Sequence, residues 1–97
     1  MLSLTDKIEF MKYLREEFLG KNLKSIDVIC VVECAAEFGV VTNIDIADDK
    51  IYVWGTDSKL FIINLNDIIE VDYKPDDEDV CLKIAAKNEV EVRFIAN

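Results

Sequence analysis

Val80-Cys81-Leu82-Lys83-Ile84-Ala85-Ala86-Lys87-Asn88-Glu89-Val90-Glu91-Val92-Arg93-Phe94-Ile95-Ala96 is the stretch whose period decides the fold. Val80, Leu82 and Ile84 recur every second residue, and Val90, Val92 and Phe94 do the same against Glu91 and Arg93. Successive side chains of a strand point to opposite faces, so each run reads as a strand with one face turned to a core. Lys87-Asn88 separates them, and Asn accepts the left-handed conformation of a tight turn. The segment predicts a hairpin of strands over 80–86 and 90–96.

The same grammar extends upstream. Short runs rich in Val, Ile and aromatics predict strands over 26–34, 38–46, 50–55, 60–65 and 68–74, in the manner of an antiparallel meander. Asp48-Asp49-Lys50 and Gly55-Thr56-Asp57-Ser58 supply tight connections, and Pro75 with Asp76-Asp77-Glu78-Asp79 forms a surface loop. Before Ser25 the period lengthens: Leu4, Ile8, Met11, Leu14 or Arg15, and Phe18 recur at helical spacing, with Lys7, Lys12 and Glu16 on the polar side. Ser3 with Asp6 is a variant capping box and Gly20-Lys21 a stop signal, predicting a helix over 4–19. Phe10 and Tyr13 widen its apolar face, so Phe10 is a candidate partner anchor as well as a core residue. The chain reads as one α+β domain over 1–97, an amphipathic helix followed by a meander that closes into a small barrel and ends in a hairpin.

A family resemblance covers about residues 18–74. Phe18-Leu19-Gly20-Lys21-Asn22-Leu23, a strand, Phe38-Gly39-Val40-Val41-Thr42-Asn43-Ile44-Asp45, Lys50-Ile51-Tyr52-Val53, and Phe61-Ile62-Ile63-Asn64-Leu65-Asn66-Asp67-Ile68-Ile69 follow one another. The order resembles the helix-then-five-strand plan of Sm-like domains. That resemblance implies a small bent barrel and assembly through edge strands, with RNA bound at the loop after the second strand and at an Arg-Gly knuckle. Here the knuckle position reads Asn64-Leu65-Asn66 and the loop Ala47-Asp48-Asp49, neither suited to RNA. A pleckstrin-homology-like barrel is the other resemblance, carried by Asn66-Asp67-Ile68-Ile69-Glu70-Val71 and the later hairpin.

Composition narrows the function. The net charge is −9, with five basic and four acidic residues in 1–24 and six basic against sixteen acidic in 25–97. Such a field repels nucleic acid and anionic lipid, whose binding relies on Lys and Arg meeting phosphate. No direct nucleic-acid or membrane partner is expected. The start, Met1-Leu2-Ser3-Leu4-Thr5-Asp6-Lys7, lacks the basic-then-apolar order of a signal peptide, and a cytoplasmic location is expected. Cys30, Cys34 and Cys81 leave one thiol over under any disulfide scheme. Cys30 and Cys34, placed on one strand, lie about 13 Å apart if extended, too far for a disulfide. All three read as buried structural thiols, because a metal set would lack a fourth ligand in a chain with no histidine.

Histidine's absence also removes the commonest general base, and with it Ser/His and Cys/His catalysis. Asp45 with Asp48, and Glu70 with Asp72, sit beside turns or alternate along a strand as solvated residues do. The isolated glycines form no phosphate loop, and the acidic run lacks EF-hand spacing. No enzyme activity, cofactor or metal is expected. The expected function is a protein-interaction or regulatory module whose partner is another protein with a basic surface, with self-association through edge strands as the other contact open to it. The alternative is a compact acidic inhibitor of the phage type, mimicking nucleic acid to block a host nuclease or defence complex. Candidate contact residues are Glu70, Asp72, Asp76, Asp77, Glu78 and Asp79 for a basic partner, and Phe10 and Trp54 for an apolar one.

Overall fold

The computed structural model describes residues 2–96. One helix, α1 (Leu4–Glu17), precedes seven strands: β1 (Asn22–Ile29), β2 (Glu33–Ala47), β3 (Lys50–Gly55), β4 (Leu60–Asn64), β5 (Ile68–Asp72), β6 (Val80–Ala86) and β7 (Val90–Ile95). The fold is α+β, as expected. The capping box is present: Ser3 Oγ accepts from Asp6 N–H at 3.1 Å and the Asp6 carboxylate accepts from Ser3 N–H at 3.2 Å. The helix stops shortly before Gly20, whose φ of 83° lies in the left-handed region.

All the strands are antiparallel to their neighbours, in the order β4-β3-β2-β1-β7-β6-β5. The hairpin read from 80–96 is present, with Ala86 opposite Val90, Leu82 opposite Phe94, and Asn88 at φ 62°. Asp48 and Asp49, at φ 52° and 60°, make the two-residue turn between β2 and β3 that a twisted hairpin favours. β2 joins two ladders: residues 33–40 pair with β1 and residues 41–47 with β3. It bends between them at Gly39 (φ 94°), followed by a register shift between Val41 and Asn43. A side chain at Gly39 would collide with Thr56 Oγ1.

β4 and β5 are the two edges of the sheet, yet only a 3₁₀ turn, Leu65–Asp67, connects them. Such a link spans about 13 Å at most, so the sheet must curl until its edges approach. It does not close, and no ladder joins β4 to β5 among the described residues. The expected closed barrel is therefore corrected to an open, curled sheet. The physical reason is visible at the corner, where Ile63, Leu65 and Ile68 are buried: the chain turns there to place side chains in the core rather than to continue a hydrogen-bonded ladder.

α1 packs against the concave side through Phe10, Met11, Leu14 and Phe18, and the Phe18 and Phe94 rings meet edge to face at 5.2 Å. Met11, Leu14 and Phe18 of the expected stripe are buried, but its first two residues are not. Phe10 is fully buried and is a core residue rather than a partner anchor, whereas Leu4 and Ile8 are exposed. The core takes Phe10 in place of Leu4 and Ile8, and its ring removes more area from water. The thiols also depart from expectation. A turn at Cys30-Val31-Val32 interrupts the predicted strand 26–34, so Cys30 and Cys34 lie on different segments and both are exposed, while Cys81 is half-buried.

Candidate functional site: an apolar sheet edge

Along β3, Ile51 and Val53 point into the core, which leaves Tyr52 and Trp54 on the outer face. Register places Trp54 directly opposite Leu60 and Tyr52 directly opposite Ile62 on β4. Cross-strand partners share a face, so these four side chains form one outward patch. Trp54, Leu60 and Ile62 retain 37%, 40% and 48% of their accessible surface. On one side the patch meets Asn43 and Asp45, opposite Trp54 and Tyr52 on β2; on the other it ends at the free edge of β4. β4 reads Leu60-Phe61-Ile62-Ile63-Asn64, without a charge.

Behind that edge the curled sheet leaves apolar clefts. One, of about 370 Å³, lies between Phe61 and the inner side of the β1–β2 hairpin at Val28, Cys34 and Ala36. The other, of about 240 Å³, runs from Phe61 and Ile63 to Val28, Ile84 and Val92. The clefts share Val28 and Phe61, and together they lie along the line where a barrel would close.

The acidic residues are set elsewhere. Glu70 and Asp72 stand exposed on β5, but Asp72 lies opposite Lys83, and Lys83 opposite Arg93. Glu91 pairs with Arg93 at 2.6 Å and with Lys83 at 3.8 Å, giving a mixed-charge face rather than a uniform one. Asp76, Asp77, Glu78 and Asp79 are all exposed in the β5–β6 loop, and among the described residues none forms an ion pair. The loop is tied down by Asp79 N–H donating to Asp77 Oδ1 at 3.0 Å and Ala96 N–H donating to the Asp79 carbonyl at 2.9 Å. The predicted contact residues are thus not brought together: the acidic ones lie on and after β5, Trp54 lies on β3, and Phe10 lies in the core.

The shifted titrations belong to a structural corner. Burial raises the pKa of Cys81, whose thiol donates to the Phe94 carbonyl at 3.1 Å. Burial likewise raises Tyr13 and Tyr73, helped by Glu17 at the first and Glu9 at the second; their rings pack edge to face at 4.5 Å. No group of three or more metal-binding side chains converges among the described residues, and no described helix is long and apolar enough to cross a membrane.

Sequence reading singled out Trp54 but missed Tyr52, Leu60 and Ile62. The signal was the apolar run 60–63, in which only alternate residues can face the core. Which strand holds the edge, however, depends on the pairing order. No protein-family model, curated protein or solved structure matches this chain, and the reading of its function rests on the edge and face just described.

Proposed function

We infer that this protein is a non-catalytic interaction module that recruits an extended segment of another protein by strand addition at β4. The observation that carries the reading is the contrast between the two edges. Exposed edges are ordinarily blunted with charge, and β5 follows that rule with Glu70 and Asp72. β4 breaks it, presenting a charge-free edge beside an apolar patch and above apolar clefts. An added strand would take its affinity from backbone hydrogen bonds to β4 and its specificity from alternate side chains in the clefts. The helix followed by β1 to β5 supports the resemblance to Sm-like domains as part of the same proposal, with β6 and β7 inserted between β1 and β5.

The acidic-inhibitor reading is supported by one observation, the four exposed carboxylates of 76–79. Affinity capture from native lysate distinguishes the two readings, with Ile62→Lys and the D76N/D77N/E78Q/D79N protein compared with the parent. A partner that resists high salt, is lost with Ile62→Lys and is kept by the loop variant supports strand addition. A partner unaffected by Ile62→Lys but stripped by salt and by the loop variant overturns it in favour of phosphate mimicry.

A further inference from the structure

A second apolar surface runs along α1 and shares no residue with the β4 edge. Leu4 and Ile8 keep 75% and 61% of their surface. With Met11, Ile46 and Leu65 they line a groove of about 500 Å³ between the helix and the β2–β3 hairpin. Leu4, Ile8, Met11 and Arg15 follow one another at intervals of four, three and four residues. That is the d-a-d-a spacing of a helix that packs lengthwise against another helix. Lys7 falls on a g position and Lys12 on an e position, one on each flank of the stripe, and Arg15 stands at its last a position. Lys7 is held in place by donating to Asn66 Oδ1 at 3.2 Å. Lys12 has only an exposed pair with Glu16 at 3.9 Å, which contributes little and is readily exchanged. Glu16 lines the groove on the helix side, and Asp49 lies across it on the β2–β3 turn.

We propose that this groove receives an amphipathic helix from a partner protein, one whose apolar stripe repeats at heptad spacing and is flanked by Asp or Glu on the side facing α1. The charge arrangement selects this occupant over a second copy of the chain. Two α1 helices packed through this stripe would set Lys7 against the other copy's Lys12 if parallel, and each against its own counterpart if antiparallel, and both arrangements are repulsive. An acid-flanked helix instead meets three cations, Lys7, Lys12 and Arg15, against two carboxylates, Glu16 and Asp49, a local excess of positive charge in a chain of net charge −9. Asp49 across the groove also orients it, because a partner with acidic residues on both flanks meets one unfavourable contact there.

The test uses fluorescence anisotropy with two labelled probe peptides, heptad helices with Leu at a and d, Gln at g and either Glu or Lys at e. The Glu-flanked peptide should bind the protein about tenfold more tightly than the Lys-flanked one, a preference that weakens with salt. Lys12→Glu with Arg15→Glu, both exposed changes, should reverse the preference, and Ile8→Asp should abolish binding of either peptide while circular dichroism stays native. Equal affinity for the two peptides, no binding of either, or self-association lost with Ile8→Asp would overturn the proposal. Ile62→Lys should leave peptide binding unchanged, so failure at this groove and failure at the β4 edge are read separately.

Discussion

Cys81, Tyr13 and Tyr73 form a corner where α1 meets the sheet, and in all three burial favours the neutral side chain. A raised pKa in the folded state means that the unfolded chain loses its protons first as pH rises. Their contribution to stability is therefore complete below the ordinary thiol value of 9.0 and fades as pH climbs through it and then through the ordinary phenol value of 10.0. Urea midpoints should fall across that alkaline window, and Tyr73→Phe should flatten the later part of the fall. A midpoint that holds steady or rises would show that the corner does not govern the response. At this scale the sequence was legible where chemistry is local: Ser3 and Asp6 cap the helix and Asn88 turns the hairpin as read. It was illegible at Cys30 and Cys34, because their burial depends on where a turn interrupts an apolar run with no Gly or Pro to mark it.

β2 is the element on which both ladders depend, and Gly39 is where it changes direction. Ala at Gly20 would meet nothing within 4 Å, so Gly20→Ala should cost only the left-handed penalty, about 1 to 2 kcal/mol. Ala at Gly39 bears the same penalty and also strikes Thr56, which anchors the β3–β4 connection. Gly39→Ala should therefore destabilise by at least about 1 kcal/mol more than Gly20→Ala in urea unfolding. Equal losses would mean that Thr56 moves aside and that β2 is less constrained than its bend implies. Periodicity found the helix and a run for each strand, although its strand over 26–34 ran across the turn at 30–32, and it could not say how far the inward stripe of the helix extends. Leu4 and Ile8 fit the repeat of Met11, Leu14 and Phe18 as well as Phe10 does, and only the shape of the sheet chooses between them.

For the molecule as a whole, the seven strands form two local meanders, β1 to β4 and β5 to β7, stitched by the single ladder between β1 and β7. Counting strands showed the meanders; whether they closed into a barrel depended on the two edges, which no single strand encodes. The stitch pairs Asp27 with Arg93 and Val28 with Val92, whereas each of the other ladders joins strands consecutive in the chain. Bringing residues so far apart in sequence together costs about 2 kcal/mol more chain entropy than closing a short hairpin. That cost falls before its contacts form, so the stitch sets the pace at which the chain reaches its native state. In stopped-flow refolding, Val92→Ala should slow folding more than it speeds unfolding, a φ-value above about 0.5. A change confined to the unfolding rate would place the two meanders' union after the barrier. Under the predicted order the β4 edge is assembled before the two halves have met, so an uncharged strand is open to any passing chain even before the native state is reached.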